Sequence, residues 1–179
     1  GETKVAFPAQ AFMQVTPEVA TKLYSCAASY LAKVEPKTLV DLFCGAGGFA
    51  LSLAKKANKV YGFEISAKAV EAARLSAQLN NISNAEFCTA DLLAALPRLA
   101  EISPAVVICN PPRRGLGSLL IKALLEIKPQ HLLYSSCNPE SFLKDYTELE
   151  SSYRLLEVTP FEMFPLTNHF ELLGVLVLK

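Results

Sequence analysis

Short apolar segments alternate with segments of helical periodicity along most of the chain. The strand-like segments are residues 37–43, 59–65, 85–90, 104–110 and 130–136, and the helical ones are 48–57, 67–81, 116–128 and 139–150. Short apolar runs bounded by turn residues are typical of buried strands. Strands that alternate with crossover helices predict a parallel sheet with helices on both faces, which places the chain in the α/β class.

The end of the chain departs from this alternation. Residues 153–164 and 170–179 are two strand-like segments joined by only "PLTNH". A link of this length permits an antiparallel hairpin but not a parallel crossover. A mostly parallel, Rossmann-like sheet of seven strands that ends in an antiparallel hairpin is the outline of a class I S-adenosylmethionine (SAM)-dependent methyltransferase. An oxidoreductase sheet would continue in βα units, so the hairpin disfavours that class.

Length and charge narrow the possible partners. The chain has 179 residues, which favours one domain, and its 17 basic residues balance 17 acidic ones. Zero net charge argues against a stand-alone nucleic-acid binder, whose affinity comes largely from phosphate contacts, without excluding RNA as a substrate. Five cysteines without a CxxC pair, together with the lack of a signal peptide or long apolar run, predict a cytoplasmic protein with no membrane partner. No obligate protein partner is evident.

The first strand leads into a glycine-rich turn, "DLFCGAGGFA", which begins at Asp41. Gly45, Gly47 and Ala50 fit the G-x-G-x-x-G/A pattern, in which glycines let a ligand approach the backbone. Glu64 follows at the end of the second strand, where a carboxylate can accept both ribose hydroxyls. NAD, FAD and SAM sites all use this pattern, and the alternative is a tight turn with an unrelated surface glutamate.

Asp91 follows the third strand, in "CTADLL". SAM-binding proteins often contact the adenine at this position. The alternative interpretation is that Asp91 is the N-cap of the helix that follows.

The fourth strand ends in "CNPPRRGLG". Ligands of open parallel sheets bind beyond the carboxyl ends of the strands, so Asn110 should face the reacting end of the cofactor. Methyltransferases that act on exocyclic amino groups place an aromatic residue after Asn-Pro-Pro, whereas this chain has Arg113. Arg113 and Arg114 are therefore candidate phosphate contacts, and the alternative is a rigid proline turn with two solvated arginines.

Cys137 lies where the fifth strand ends and the next helix begins, within "YSSCNPESF". Asn138 and Pro139 suit the N-cap and first position of that helix, whose positive end would favour the thiolate. This position predicts a nucleophile, whereas a spectator cysteine would be expected inside a strand. A three-thiolate metal site with Cys44 and Cys109 has no supporting spacing, so no metal is expected, and Cys26 and Cys88 are expected in the core.

A nucleophile at this edge needs a base nearby. Glu171 begins the last, strongly apolar strand, where partial desolvation would raise its pKa toward the value that a general base needs. His169, two residues earlier, is the rival base. The alternative is that Glu171 is an exposed residue at a strand end.

Six segments together resemble the bacterial RNA (uracil-5)-methyltransferases. They are "FMQVTP", "DLFCGAGGF", "FEIS", "NPPRRG", "SSCNP" and "MFPLTNHFE", and they occur in the family's order over nearly the whole chain. The resemblance implies that Gln14, Phe43, Glu64 and Asn110 contact SAM, with Asp41 and the glycine turn beside them. It also implies that Cys137 is the nucleophile and Glu171 the base.

The "NPPRRG" segment is more similar to the ribosomal branch of this family, which acts on uracil 747 of 23S RNA. The resemblance therefore implies methyl transfer from SAM to carbon-5 of a ribosomal uridine, through a covalent bond between Cys137 and carbon-6 of the uracil. The alternatives are a tRNA uridine, carbon-5 of an RNA cytosine, or a SAM-binding docking module without catalysis. RNA cytosine-5 enzymes usually place a second cysteine after a proline, whereas Cys109 precedes the prolines here.

Family members also carry an N-terminal RNA-binding part, and ribosomal-branch members have an iron–sulfur cysteine cluster. Neither is found in this sequence. The resemblance predicts that residues 1–179 are a catalytic domain with residues 1–34 as a lead-in segment and helix, and that any iron–sulfur cluster would belong to a preceding part. Thr16 departs from the family's usual asparagine and is a plausible N-cap for a helix that begins at Pro17.

Overall fold

Five parallel strands and a C-terminal antiparallel pair form one seven-stranded sheet in the computed structural model, which describes residues 17–162 and 170–179. The strands are β1 (Thr38–Leu42), β2 (Lys59–Glu64), β3 (Ala85–Thr89), β4 (Val106–Cys109), β5 (His131–Ser136), β6 (Tyr153–Glu162) and β7 (Phe170–Leu178). The helices are α1 (Pro17–Val34), α2 (Gly48–Leu53), α3 (Ala67–Leu79), α4 (Leu92–Ile102), α5 (Ser118–Ile127) and α6 (Pro139–Leu149), and a 3-10 turn, Ala54–Lys56, continues α2.

The strand order is β3-β2-β1-β4-β5-β7-β6. Strands β1 to β5 pair in parallel, and β7 pairs antiparallel with both β5 and β6. This arrangement confirms the predicted α/β class, the mostly parallel seven-stranded sheet and the terminal hairpin. The predicted helix 48–57 is shorter than expected, because residues 54–56 tighten into the 3-10 turn. The proposed N-cap Thr16 lies outside the described residues.

The sheet separates two apolar layers, because both of its faces are covered by helices. One layer contains Leu23 of α1, Phe49 of α2 and Val70 of α3, together with Leu133 of β5. The other contains Leu132 and Tyr134, the neighbours of Leu133 in the same strand. Successive side chains of a strand point to opposite faces, so a strand buried on both faces reads as a continuous apolar run. No helix among the described residues is long and apolar enough to cross a membrane.

The register between β5 and β7 brings two distant parts of the chain together. Ser135 pairs with Leu173 and Ser136 pairs with Leu172. Continued by one residue, this register places Cys137 opposite Glu171. The β5–β7 ladder runs without interruption from His131 to Ser136, whereas the β6–β7 ladder shifts register between Leu155 and Glu157.

Gly174 of β7 leaves room for the ring of Phe142, which α6 packs onto the sheet. A Cβ atom at Gly174 would lie 2.5 Å from the Cζ atom of Phe142. Phe142 in turn packs edge-on against Tyr134, with ring centroids 5.1 Å apart. Helix α6 can therefore approach the junction of β5 and β7 closely only because residue 174 has no side chain.

We expect the substitution Gly174→Ala to lower the free energy of unfolding by about 1–3 kcal/mol, the usual cost of overpacking a filled core. The companion substitution Phe142→Leu removes the clashing atoms, so the double variant should lose less than the sum of the two single variants. Urea denaturation of the four proteins measures this coupling. Simple additivity of the two losses would contradict the packing described above.

Candidate active site

The turn between β1 and α2 has an unusual backbone. Phe43 has φ 63°, Gly45 has φ 53° and Gly47 has φ 87°. Positive φ is natural for glycine but uncommon for a bulky residue such as phenylalanine, and such conformations concentrate at functional sites. A Cβ atom at Gly45 would meet no atom within 4 Å, so the space beside this residue is open. The turn thus offers a bare stretch of backbone to a ligand.

Asp41 lies beneath this turn, at the end of β1, and is only 1% exposed. Its Oδ2 atom accepts a hydrogen bond of 2.9 Å from the backbone N–H of Ala50. Its Oδ1 atom is buried and has no hydrogen-bond partner within the described part of the chain. Burial raises the pKa of Asp41 to about 7, and the charge of Glu64 adds to this effect, while the bond from Ala50 opposes it. A buried acceptor of this kind suits a ligand group that donates a hydrogen bond or carries positive charge.

Glu64, at the end of β2, is oriented by two backbone donors. Its Oε2 atom accepts from the N–H of Gly45 at 3.1 Å, and its Oε1 atom accepts from the N–H of Ser66 at 2.9 Å. Each carboxylate oxygen can accept more than one hydrogen bond. The carboxylate is thus fixed toward the glycine turn and keeps acceptor capacity for a pair of hydroxyls.

A cavity of about 430 Å³ opens beside these residues. Its lining includes Phe43, Glu64, Ile65, Asp91 and Arg114. This volume is in the range of small-molecule sites. Asp91 is also the N-cap of α4, since its Oδ1 atom accepts from the N–H of Leu93 at 2.9 Å. The capping interpretation is therefore confirmed, while the position of Asp91 on the cavity wall leaves the predicted adenine contact possible.

Asn110 follows β4 and begins the Asn-Pro-Pro loop, residues 110–117. Its backbone N–H donates to the carbonyl of Leu42 at 3.4 Å, which ties the start of the loop to the end of β1. The far end is tied by Asp145 of α6, which is 2% exposed. The Oδ2 atom of Asp145 accepts from the N–H of Leu116 at 2.7 Å and from the hydroxyl of Tyr134 at 2.6 Å.

A third contact joins this loop to the turn that carries Cys137. The side-chain Nδ2 of Asn138 donates to the carbonyl oxygen of Arg113 at 3.0 Å. Asp145 and Asn138 thus hold the loop against β5 and α6. No local sequence pattern indicates the role of Asp145, because its two partners lie 11 and 29 residues away along the chain.

The two arginines of the loop are both exposed but have different surroundings. Arg113 lies near Cys137, since its positive charge lowers the pKa of the Cys137 thiol. Arg114 lines the cavity beside Phe43 and Glu64. Their predicted contact with substrate stays a prediction.

Cys137 is exposed at the junction of β5 and α6. Asn138 is the N-cap of α6, with its Oδ1 accepting from the N–H of Glu140 at 3.1 Å, and Pro139 is the first helical residue, as predicted. The expected lowering of the thiol pKa is wrong for the free protein. Partial loss of water around the sulfur raises the pKa of Cys137, the charge of Glu171 raises it further, and Arg113 and the local backbone oppose the shift.

Glu171, at the start of β7, is 3% exposed, so the alternative of an exposed strand-end glutamate is wrong. Its Oε1 atom accepts a hydrogen bond of 2.5 Å from the hydroxyl of Ser135. Burial raises the pKa of Glu171, as the sequence analysis expected, and the Ser135 bond partly offsets the increase. The structure thus brings Cys137 and Glu171 to one place. The rival base His169 and the predicted cofactor contact Gln14 lie outside the described residues.

The remaining cysteines do not join this site. Cys44 packs with the layer that contains α1, and Cys109 packs with the opposite layer, so the two thiols lie on different faces of the sheet. Cys26 and Cys88 are only partly buried rather than full core residues. Among residues 17–162 and 170–179, no cluster of three or more histidine, cysteine or acidic side chains could hold a metal ion.

The strand order, the glycine turn and the acidic residue at the end of β2 define a class I SAM-dependent methyltransferase fold. A magnesium protoporphyrin IX methyltransferase from Synechocystis with bound SAM shares this fold, with a TM-score of 0.69 over 90% of this chain and 81% of that chain at 19% identity. A family model described as tRNA (uracil-5-)-methyltransferase matches residues 2–179. The chain therefore belongs to the RNA (uracil-5)-methyltransferase family.

Individual relatives are consistent with this membership. The 23S rRNA (uracil(747)-C(5))-methyltransferase RlmC of Vibrio cholerae is 44% identical over 170 residues, which are 95% of this chain and 45% of that protein. RlmC of Shewanella baltica is 42% identical over 94% of this chain and 43% of its own length. The tRNA (uracil-54, C5)-methyltransferase of Pyrococcus abyssi, solved with S-adenosyl-L-homocysteine, has a TM-score of 0.80 at 36% identity, over 94% of this chain and 40% of that one. The chain thus spans somewhat less than half the length of these relatives.

The buried carboxyl of Asp41 should make the stability of the ligand-free protein depend on pH. Its pKa is raised from 3.8 to about 7 in the folded protein. Between these two pH values the folded protein therefore keeps a proton that the unfolded chain has released. The free energy of unfolding therefore falls as pH rises from about 4 to about 7. We expect Asp41→Asn to flatten this dependence, because asparagine does not titrate, so the variant should compare better with the unaltered protein at pH 7 than at pH 4. Urea denaturation across this range measures both effects.

Asp91→Asn is the matched control, because asparagine can also cap α4 and the residue is exposed. Equal pH dependence in the Asp41→Asn variant and the unaltered protein would contradict the burial argument.

Proposed function

We propose that the chain transfers a methyl group from SAM to carbon-5 of a uridine in 23S ribosomal RNA. The observation that carries the proposal is the position of Cys137 opposite Glu171 at the edge of the sheet where the cofactor cavity opens. A nucleophile and a base beside a methyl donor are what methylation of a pyrimidine carbon needs. The relatives named for uracil 747 support ribosomal RNA as the substrate.

The residues of the glycine turn and those that line the cavity fit SAM. The buried Oδ1 of Asp41 is an acceptor for the amino group of the methionine part, and the open space at Gly45 admits a ligand against the backbone. Glu64 has acceptor capacity for the ribose hydroxyls, and Phe43 and Asp91 line the cavity, where the adenosine would lie. Gln14 and Asn110 remain predicted contacts from the family resemblance. When bound, SAM supplies an electrophilic methyl group.

Cys137 would start the reaction at the uracil ring. Carbon-5 of uracil is a weak nucleophile, and the ring must first be activated. Attack of the Cys137 thiolate on carbon-6 forms a carbon–sulfur bond and moves the electron pair of the double bond onto carbon-5 and its carbonyl. Carbon-5 would then form a bond to the methyl group of bound SAM, whose bond to the sulfonium sulfur would break and leave S-adenosylhomocysteine. Arg113 contributes by lowering the pKa of the thiol, which is otherwise raised in the free protein.

Glu171 would complete the reaction. After methylation, carbon-5 carries both a proton and a methyl group. The Glu171 carboxylate removes the proton, the double bond between carbon-5 and carbon-6 forms again, and the bond from carbon-6 to sulfur breaks to release the Cys137 thiolate. The raised pKa of Glu171 makes its carboxylate a stronger base than an ordinary glutamate.

The target uridine must leave any helix before Cys137 can reach carbon-6. Enzymes that modify a base act on unpaired nucleotides or rotate the base out of the stack. The exposed Arg113 and Arg114 lie on the loop next to Cys137 and offer positive charge to the phosphates on either side of such a nucleotide.

We expect Cys137→Ala to abolish methyl transfer, because the ring can no longer be activated, and to leave SAM binding unchanged. Incorporation of labelled methyl groups into a 23S RNA hairpin measures the first effect, and calorimetric titration with SAM measures the second. Cys26→Ala is the control, since that cysteine is a partly buried residue of α1 that packs against the core. Residual methylation above a few per cent in Cys137→Ala would refute the nucleophile.

We expect Glu171→Gln to accumulate a methylated protein–RNA adduct, because the step that releases Cys137 needs the base. Denaturing gel electrophoresis detects the adduct, and mass spectrometry locates it on Cys137. Normal turnover in this variant, without adduct, would transfer the role of base to another group such as His169.

Replacing the target uridine by 5-fluorouridine tests the whole proposal, since fluorine cannot leave carbon-5 as a proton. A methylated adduct on Cys137 is expected with the ribosomal hairpin. Trapping on a tRNA stem-loop alone would instead support the activity in the name of the Pyrococcus abyssi relative. Reaction with cytidine in place of uridine would support carbon-5 methylation of cytosine.

A further inference from the structure

We infer that Ser135 is a positioning residue that orients Glu171 for proton removal. The inference deepens the proposed function and rests on it. The hydroxyl of Ser135 donates to the Oε1 atom of Glu171 at 2.5 Å, and the two side chains are 0% and 3% exposed. A hydrogen bond to a charged group in a dry environment is among the stronger ones in proteins.

The sheet register explains why these two side chains meet. Ser135 pairs with Leu173 across the β5–β7 ladder, and Glu171 lies two residues before Leu173 on the same strand. Residues two apart on a strand share a face, and diagonal neighbours on adjacent strands lie within reach of a long side chain. Ser135, Cys137 and Glu171 therefore project from one face of the sheet.

The hydrogen bond from Ser135 gives the two carboxylate oxygens of Glu171 different roles. Oε1 is held by Ser135, so Oε2 is the oxygen available to receive the proton from carbon-5. Fixing one oxygen restricts rotation about the last side-chain torsion, which otherwise has a broad distribution for glutamate. A base held in this way needs no reorientation when the methylated ring forms.

The neighbouring serine, Ser136, has different hydrogen-bond partners, so only Ser135 is assigned the role of orienting Glu171. The Ser136 hydroxyl donates to the carbonyl oxygen of Asn138 at 2.9 Å and accepts from the Asn138 N–H at 3.1 Å, so it shapes the turn after Cys137. Ser135 follows three buried residues of β5, Leu132, Leu133 and Tyr134. A hydroxyl buried there is costly unless it has a partner, and its partner is Glu171.

Among the residues that the structure describes, two titratable groups feel the charge of Glu171. Cys137 is one, because the charge of Glu171 raises the pKa of its thiol, and Tyr24 of α1 is the other. Burial raises the pKa of Tyr24 to about 12, with smaller contributions from the charges of Asp41 and Glu171. Tyr24 is therefore neutral across the pH range of the assay, and changes near neutral pH in the Ser135 variants report on Glu171 and Cys137.

The test compares Ser135→Ala and Ser135→Thr with the unaltered protein. In single turnovers, release of tritium from carbon-5 of a labelled uridine measures proton removal. We expect this rate to fall about tenfold to a hundredfold in Ser135→Ala, the effect of one hydrogen bond to a charged group. The KM for RNA should not change, and methylated adduct should accumulate. Ser135→Thr keeps the hydroxyl and should recover most of the rate.

The pH dependence of the tritium-release rate distinguishes a positioning role from a merely structural one, because loss of a structural contact would not shift it. The Ser135 bond lowers the pKa of Glu171, so its loss raises that pKa. Because the base must be ionised, the acidic limb of the rate profile should move to higher pH in Ser135→Ala. Ser76→Ala is the matched control, since Ser76 is equally buried on α3, where its hydroxyl donates to the carbonyl oxygen of Ala72. It should cost stability without moving the profile.

The double variant Ser135→Ala/Glu171→Gln decides whether Ser135 acts through Glu171. We expect it to release tritium no more slowly than Glu171→Gln alone. A further loss in the double variant, or an unshifted profile in Ser135→Ala, would overturn the inference. Carbon-13 NMR titration of the Glu171 carboxyl, assigned with Glu171→Gln, measures the contact without RNA. An unaltered protein that transfers no methyl group would refute the proposed function, whereas an unchanged Glu171 titration in Ser135→Ala would refute the positioning role.

Discussion

The antiparallel pairing of β7 between β5 and β6 is the contact on which the site depends. A sixth parallel strand at this position would need a long crossover, and its carboxyl end, not its start, would meet the end of β5. Because β7 runs in the opposite direction, its first residues lie beside the last residues of β5. Cys137 and Glu171, 34 positions apart in the sequence, therefore become neighbours by register alone.

Two features of the candidate site lower the stability of the free protein. Phe43 adopts a left-handed backbone conformation, and Asp41 buries an oxygen without a partner in the described part of the chain. Each is a local cost in the free protein. Both features border the space where a ligand would lie, so binding would relieve at least the second. The same dry environment that makes Asp41 costly would strengthen its contact with a positively charged group.

The sequence predicted the strands and their ends well, whereas α4, which contains Pro97, was not among the helices predicted from periodicity. The apolar runs and the short link before β7 were sufficient for the sheet, and the Asn138–Pro139 pair was sufficient to place Cys137 at a helix start. The prediction of a lowered thiol pKa was wrong, because the helix dipole acts against partial desolvation and the nearby charge of Glu171. Ser135 and Asp145 were not identified, since each acquires its role from partners that only the tertiary fold brings close.

The irregularity of β6 has a consequence for how the chain tolerates changes in length. Leu155 pairs with Leu176 and Glu157 with Val175, so the intervening Leu156 has no counterpart on β7. The edge strand β6 thus contains one extra residue, while the pairing of β5 with β7 keeps its register. Gain or loss of one residue near Leu156 should therefore leave the pairing of β5 with β7 unchanged. A single insertion between Glu171 and Gly174 would turn the glutamate to the opposite face of the sheet, and natural selection would remove it.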